Sequence, residues 1–126
     1  MNFVEFWLLA PSIALGGATG ALTRWGTFRA WGESRAAAAL LSVNLAGSFA
    51  LGVFYAVSPG LPSVVVAGLV AFTGGLTTFS TLMVACVRDA RARKWGRAAI
   101  LLVVHVGGGT VCALLGAYAV MLAIGA

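Results

Sequence analysis

Charged side chains are nearly missing from this sequence. Asp, Glu, Lys and Arg make up 9% of 126 residues, against about 25% in an ordinary soluble domain. That excludes a water-soluble globular fold. Acidic residues number three, Glu5, Glu33 and Asp89. Glu5 and Asp89 stand at the ends of apolar runs and Glu33 lies in a loop. A proton-coupled four-span multidrug transporter needs a carboxylate embedded in its first span, so that class fits poorly. The one histidine, His105, has valine and glycine neighbours and cannot build a metal site with them. Cys86 and Cys112 fall inside apolar runs and read as small membrane-embedded hydrophobes, with a disulfide or metal role as the alternative. No nucleophile–base pair or metal cluster is visible, so an enzyme is not expected.

The apolar residues, 61% of the chain, come in long runs. No charge interrupts 6–23, 36–87 or 98–126. A membrane helix needs about 20 apolar residues. The middle run holds two, divided at "SPGLPS" (58–63), where two prolines and a glycine stop helices. The reading is an all-α membrane protein, one domain over 1–126, with four transmembrane helices near 6–26, 36–57, 63–87 and 98–124. "MNFVEFW" lacks the positive n-region of a signal peptide and runs straight into the first span.

All eight Lys and Arg lie on one side of that arrangement. Arg24, Arg29 and Arg35 flank loop one, and Arg88, Arg91, Arg93, Lys94 and Arg97 crowd loop three. The positive-inside rule puts both loops in the cytoplasm and both termini outside the cell membrane. Topology thus accounts for the net charge of +5, and a nucleic-acid partner is not expected.

Small residues recur every fourth position: Gly16 and Gly20; Asn44, Ser48 and Gly52; Gly108, Cys112 and Gly116. Such rows let helix backbones approach closely in lipid. They serve packing within one subunit, and three rows among four helices also point to an interface with a second. Arg24 is expensive at the end of a span. It either snorkels to the cytoplasmic face or pairs with helix C-terminal carbonyls and locks the fold; the role is structural either way. Asn44, near the middle of span two, reads as a helix–helix hydrogen bond or, less often, a pore group.

The third span carries "TGGLTTFSTLM" (73–83). Paired glycines are a common cause of helix kinks, and Gly74-Gly75 with Thr77-Thr78 reads as a break in the helix. Non-helical backbone at membrane depth is tolerated only when buried in protein or lining a wet cavity. Freed carbonyls from Gly74 to Thr77 suit a cation. Freed N–H groups and the hydroxyls of Thr77, Thr78, Ser80 and Thr81 suit an anion. The alternative is a kink without a ligand. Phe79 follows the break; an aromatic edge is electropositive and can face an anion, although a membrane Phe ordinarily packs.

"GGATGALTRW" (16–25), "SVNLAGSFALG" (42–52), "TGGLTTFST" (73–81) and "HVGGG" (105–109) fall in the four spans in order. Over essentially its whole length the chain resembles the Fluc/CrcB fluoride channels. The third-span motif is the specific one. The resemblance implies an antiparallel dimer with two fluoride pathways and a central structural sodium ion. It implies that the carbonyls of Gly74 and Thr77 hold the sodium, one pair from each subunit. It places Asn44 at the anion vestibule and Phe79 as the first of two pore phenylalanines, with Thr78, Ser80 and Thr81 along the polar track. Gly75 and Arg24 keep structural roles. Fluoride is tightly hydrated, so its pore needs donors that replace water without a fixed charge that would trap it.

The chain departs from the family pattern. Leu82 replaces the second pore phenylalanine and Met83 the following serine. Ala85 stands for a glutamate, Gly109 for a fourth-span serine and Leu40 for a second-span threonine. The charge bias also implies insertion in one orientation, so this chain cannot form an antiparallel dimer by itself. Together these point to one subunit of a heterodimer whose homologous partner inserts the other way. A non-conducting structural or regulatory subunit is the alternative.

Overall fold

The computed structural model describes residues 3–125, without the side chain of Glu5. The reading of Glu5 above therefore lies outside the described residues, as do both chain ends. The described residues are helical with short connections. Helix α1 covers Phe3–Trp31, α2 Ala36–Val57, α3 Ser63–Leu76, α4 Phe79–Arg91 and α5 Trp95–Ile124. With α3 and α4 taken as one span, four segments are long and apolar enough to cross a membrane.

The ends of these helices follow from local chemistry. Gly32 terminates α1 with φ 70, a left-handed value that suits a residue without Cβ. The helix therefore runs past the apolar window that ends near residue 26. After α2, Ser58–Gly60 form a tight turn. Pro62 caps α3, its carbonyl accepting from the N–H groups of Val65 and Val66 at 2.9 and 3.1 Å. Gly125, also left-handed at φ 73, closes α5.

Two helix pairs form the body: α1 against α3, and α2 against α5. Small residues set how near they come. A Cβ built on Gly16 would overlap the Gly68 carbonyl of α3, and one on Gly20 the Phe72 carbonyl. On the other pair, Gly52 meets the Ala113 carbonyl and Gly116 the Phe49 carbonyl. Residues of all three small-residue rows are thus used inside the subunit. Ser12 adds a hydrogen bond from its hydroxyl to the Val64 carbonyl, 2.6 Å. Helix α4 packs on α5, and α2 also touches α3, which joins the two pairs.

The buried apolar core is thin: Ala39, Leu40, Val43, Leu76 and Leu82. The outward faces carry Leu15, Leu22, Val103 and Leu114, all exposed. This is the distribution of a protein whose solvent is hydrocarbon, where packing and satisfied backbone groups hold helices together.

Candidate functional site

Between α3 and α4 the backbone is extended at two residues, Thr77 (φ −79, ψ 157) and Thr78 (φ −146, ψ 113). The glycines are not where the chain unwinds. Gly74 and Gly75 are both helical. Gly75 lies against the Gly17 carbonyl of α1, where a Cβ would overlap it. Its role is close approach within the subunit. Gly74 faces the other way and a Cβ there would meet nothing within 4 Å.

Hydrogen bonds explain the position of the break. In a continuous helix the Thr78 N–H would donate to the Gly74 carbonyl. Instead it donates to Asn44 Oδ1 at 2.8 Å, while Asn44 Nδ2 donates to the Thr78 carbonyl at 3.2 Å. The Thr77 carbonyl accepts from Arg24 Nη1 at 2.9 Å. The Thr77 N–H and hydroxyl both donate to the Thr73 carbonyl, at 3.0 and 2.9 Å. All four backbone polar groups of the two unwound residues are therefore paired, as burial in an apolar medium requires. Arg24 acts by pairing with a carbonyl beside the helix end, one of its two expected modes.

Thr78 then restarts the helix. Its Oγ1 accepts from the Thr81 N–H at 3.2 Å, an N-cap. The same hydroxyl donates to Thr81 Oγ1 at 2.9 Å and lies 3.3 Å from Ser80 Oγ. Some groups remain uncommitted. The Gly74 carbonyl has lost its helical donor to Asn44. The N–H groups of Phe79 and Ser80 open α4 and have no intrahelical acceptor. Asn44 also keeps one amide hydrogen beyond the one given to Thr78.

Of the residues that carry these groups, all but Ser80 border an open cleft of about 340 Å³. Asn44, Gly74, Thr77, Thr78 and Phe79 line it together. Phe79 is 64% exposed on the open side, whereas Leu82, also lining the cleft, is 2% exposed. Ser80 and Thr81 are exposed but do not line this cleft. Thr81 borders a second hollow of about 190 Å³ towards loop three, with Arg88, Asp89 and Arg97. There Asp89 pairs with Arg97 at 3.2 Å. Arg24 and Gly75 line neither space and act from the α1 side.

Three polar cleft residues lie outside the site set expected from the sequence: Ser48, Thr73 and His105. Ser48 lines the cleft, and a Cβ on Gly109 would stand 3.1 Å from its hydroxyl. His105 lines it as well and is 6% exposed. The signal for His105 was present: a titratable side chain in the middle of a span is costly and tends to be functional.

A helix that unwinds beside a mostly apolar cleft carrying a few polar groups, within four segments long and apolar enough to cross a membrane, defines the class: a multi-pass membrane protein suited to an ion or small polar solute. A family model described as "CrcB-like protein, Camphor Resistance (CrcB)" matches residues 12–117. The chain is 36% identical over 119 residues to the "Fluoride-specific ion channel FluC" of Pseudomonas paraeruginosa, covering 89% of this chain and 93% of that one. It is 33% identical over 111 residues to the protein of the same name from Cupriavidus pinatubonensis, covering 83% and 88%. With that of Saccharophagus degradans it shares 35% over 108 residues, covering 79% of each. The chain belongs to the CrcB family.

Proposed function

We propose that this chain is a subunit of a fluoride-selective channel that lets fluoride leave the cytoplasm passively, and that it is not an enzyme. The observation that carries this reading is the cleft, where the Asn44 amide, the Thr78–Phe79 helix start and the exposed Phe79 ring converge. The spare amide hydrogen, the Phe79 N–H at the helix start and an aromatic edge supply donors that replace water around a small anion. The relatives' names supply the ion. Ser80 and Thr81 continue the polar track towards the hollow that holds Arg88 and Arg97, whose charge draws anions to that mouth.

In this reading Gly74 and Thr77 hold a structural sodium at the centre of an antiparallel dimer in the lipid bilayer. The Gly74 carbonyl fits, since Asn44 has freed it and it lies on an open face. The Thr77 carbonyl already accepts from Arg24 and contributes through its second lone pair. Sodium would supply positive charge where two broken helices meet. The charge bias supports loops one and three in the cytoplasm, termini outside, and a homologous partner inserted the other way. The buried Leu82, in place of a pore phenylalanine, favours one second reading: a subunit that completes the dimer without conducting through its own leucine-bearing pathway.

The test is fluoride resistance in cells lacking fluoride exporters, with this chain and the partner co-expressed. Phe79→Ile should abolish resistance while the dimer still assembles. Unchanged resistance would make Phe79 a packing residue and remove the anion pathway from this cleft.

A further inference from the structure

We propose that His105 contacts the anion in the cleft and does so as a donor through Nε2 when its imidazole is protonated. This rests on the fluoride-channel reading. His105 lies on α5 and is the only titratable side chain lining the cleft it shares with Asn44, Ser48, Thr78 and Phe79. Its Nδ1 is 2.8 Å from the Leu101 carbonyl, one turn back on the same helix. A carbonyl only accepts, so Nδ1 carries a proton whenever that bond is made. Nε2 is buried and has no hydrogen-bond partner. A buried polar atom left bare is rare, and a functional partner is one explanation for it.

The Leu101 bond fixes what Nε2 can be. In the neutral ring it is a bare lone pair, which repels an anion. In the protonated ring it is a charged N–H donor, which attracts one. The ring need not turn between the two states. No other titratable group competes for that donor among the described residues. Helix α2, packed on α5, carries no Asp, Glu, Lys or Arg, and its Tyr55 is 77% exposed. Helix α3 has no titratable side chain. On α4 the charged groups Arg88, Asp89 and Arg91 sit at the loop-three end, and Cys86 Sγ lies 3.7 Å from the Ala98 carbonyl. Asp89 is held by Arg97, which precedes His105 by eight residues, about 12 Å of helix. Cys112 and Tyr118 lie further along α5 towards the opposite end. With no charged acceptor from the described residues at that place, we assign the protonated Nε2 to the ion that enters the cleft.

Fluoride flux should therefore rise as pH falls, since the donor exists only in the protonated ring. Measure efflux from vesicles holding this chain and its partner at alkaline, neutral and acid pH. Protein-free vesicles correct for leakage of undissociated HF. Wild type should gain several-fold towards acid. His105→Gln, which offers a neutral donor at every pH, should flatten the profile, and His105→Leu should depress flux throughout. The chain has a single histidine, so 15N-histidine labelling of this subunit alone reports one imidazole. In the acid range fluoride should move the Nε2 resonance far more than Nδ1, and chloride should move neither. A flat wild-type profile, or the wild-type slope in His105→Gln, overturns the role of His105 while leaving the channel intact. Absence of flux at every pH defeats the channel reading instead, and the 15N spectra then decide: an Nε2 resonance that ignores fluoride overturns the proposal.

Discussion

Asn44 and Thr78 exchange two hydrogen bonds, so that one amide side chain on α2 takes both the N–H and the carbonyl of an unwound residue. That exchange sets where the third span stops being a helix. It removes the donor that would have continued α3, and it makes extended backbone tolerable at membrane depth.

Replacing Asn44 tests this directly. Asn44→Leu strands the buried Thr78 N–H, costing about 1–3 kcal/mol, and takes one of two donors from the Thr78 carbonyl, which as the N-cap carbonyl of α4 keeps its first intrahelical bond. The variant should unfold at markedly lower denaturant in detergent. Asn44→Asp keeps an acceptor for the Thr78 N–H but loses the donor, and should fall between. Equal stability of wild type and Asn44→Leu would mean that Thr78 finds other partners and that the amide does not set the break.

The two glycines should behave differently. Gly75→Val drives a side chain into the Gly17 carbonyl of α1, and overpacking of this kind costs about 1–3 kcal/mol. The subunit itself should be destabilised, as measured by unfolding of the monomer. Gly74→Val meets open space within the subunit. It should leave monomer stability near wild type and weaken association with the partner, measured by cross-linking in membranes. The reverse pattern would contradict the assignment of Gly75 to α1 packing and of Gly74 to the open face.

Orientation follows from Lys and Arg placement. With Cys86 and Cys112 replaced by alanine, single cysteines at Ser58 and Arg93 should label differently in intact cells. An impermeant thiol reagent should reach position 58 and not 93. Labelling of both, or of 93 alone, would show that the chain does not insert in a single orientation with its termini outside.

Much of this was legible in the sequence. Gaps between charges mark four spans, and the Ser58–Gly60 turn divides the long middle run. Thr78 and Thr81 announce the polar third span, because hydroxyls there have no use in lipid. The exact place of the break was not legible. Glycine pairs commonly loosen helices, yet Gly74 and Gly75 stay helical because their use here is geometric, against α1 and on an open face. What interrupts the helix is an amide 34 residues earlier, a contact no local pattern encodes. The same holds for Arg24, whose partner is the Thr77 carbonyl 53 residues on. His105 was visible as a residue, but its bare Nε2 emerges only when α5 packs on α2 and the cleft forms.

The central claim is that this chain forms a fluoride channel with an inverted homologue and not with itself. Fluoride efflux from membranes into which the cell has inserted the chain, alone or with the partner co-expressed, measures it most directly. Vesicles made from those membranes preserve orientation, which detergent purification does not. The chain alone should release fluoride no faster than membranes without it. With the partner, efflux should appear and should vanish in Phe79→Ile. Fast fluoride efflux from this chain alone would contradict the account: the Leu82-bearing cleft would then conduct, and the charge bias would not dictate a second subunit.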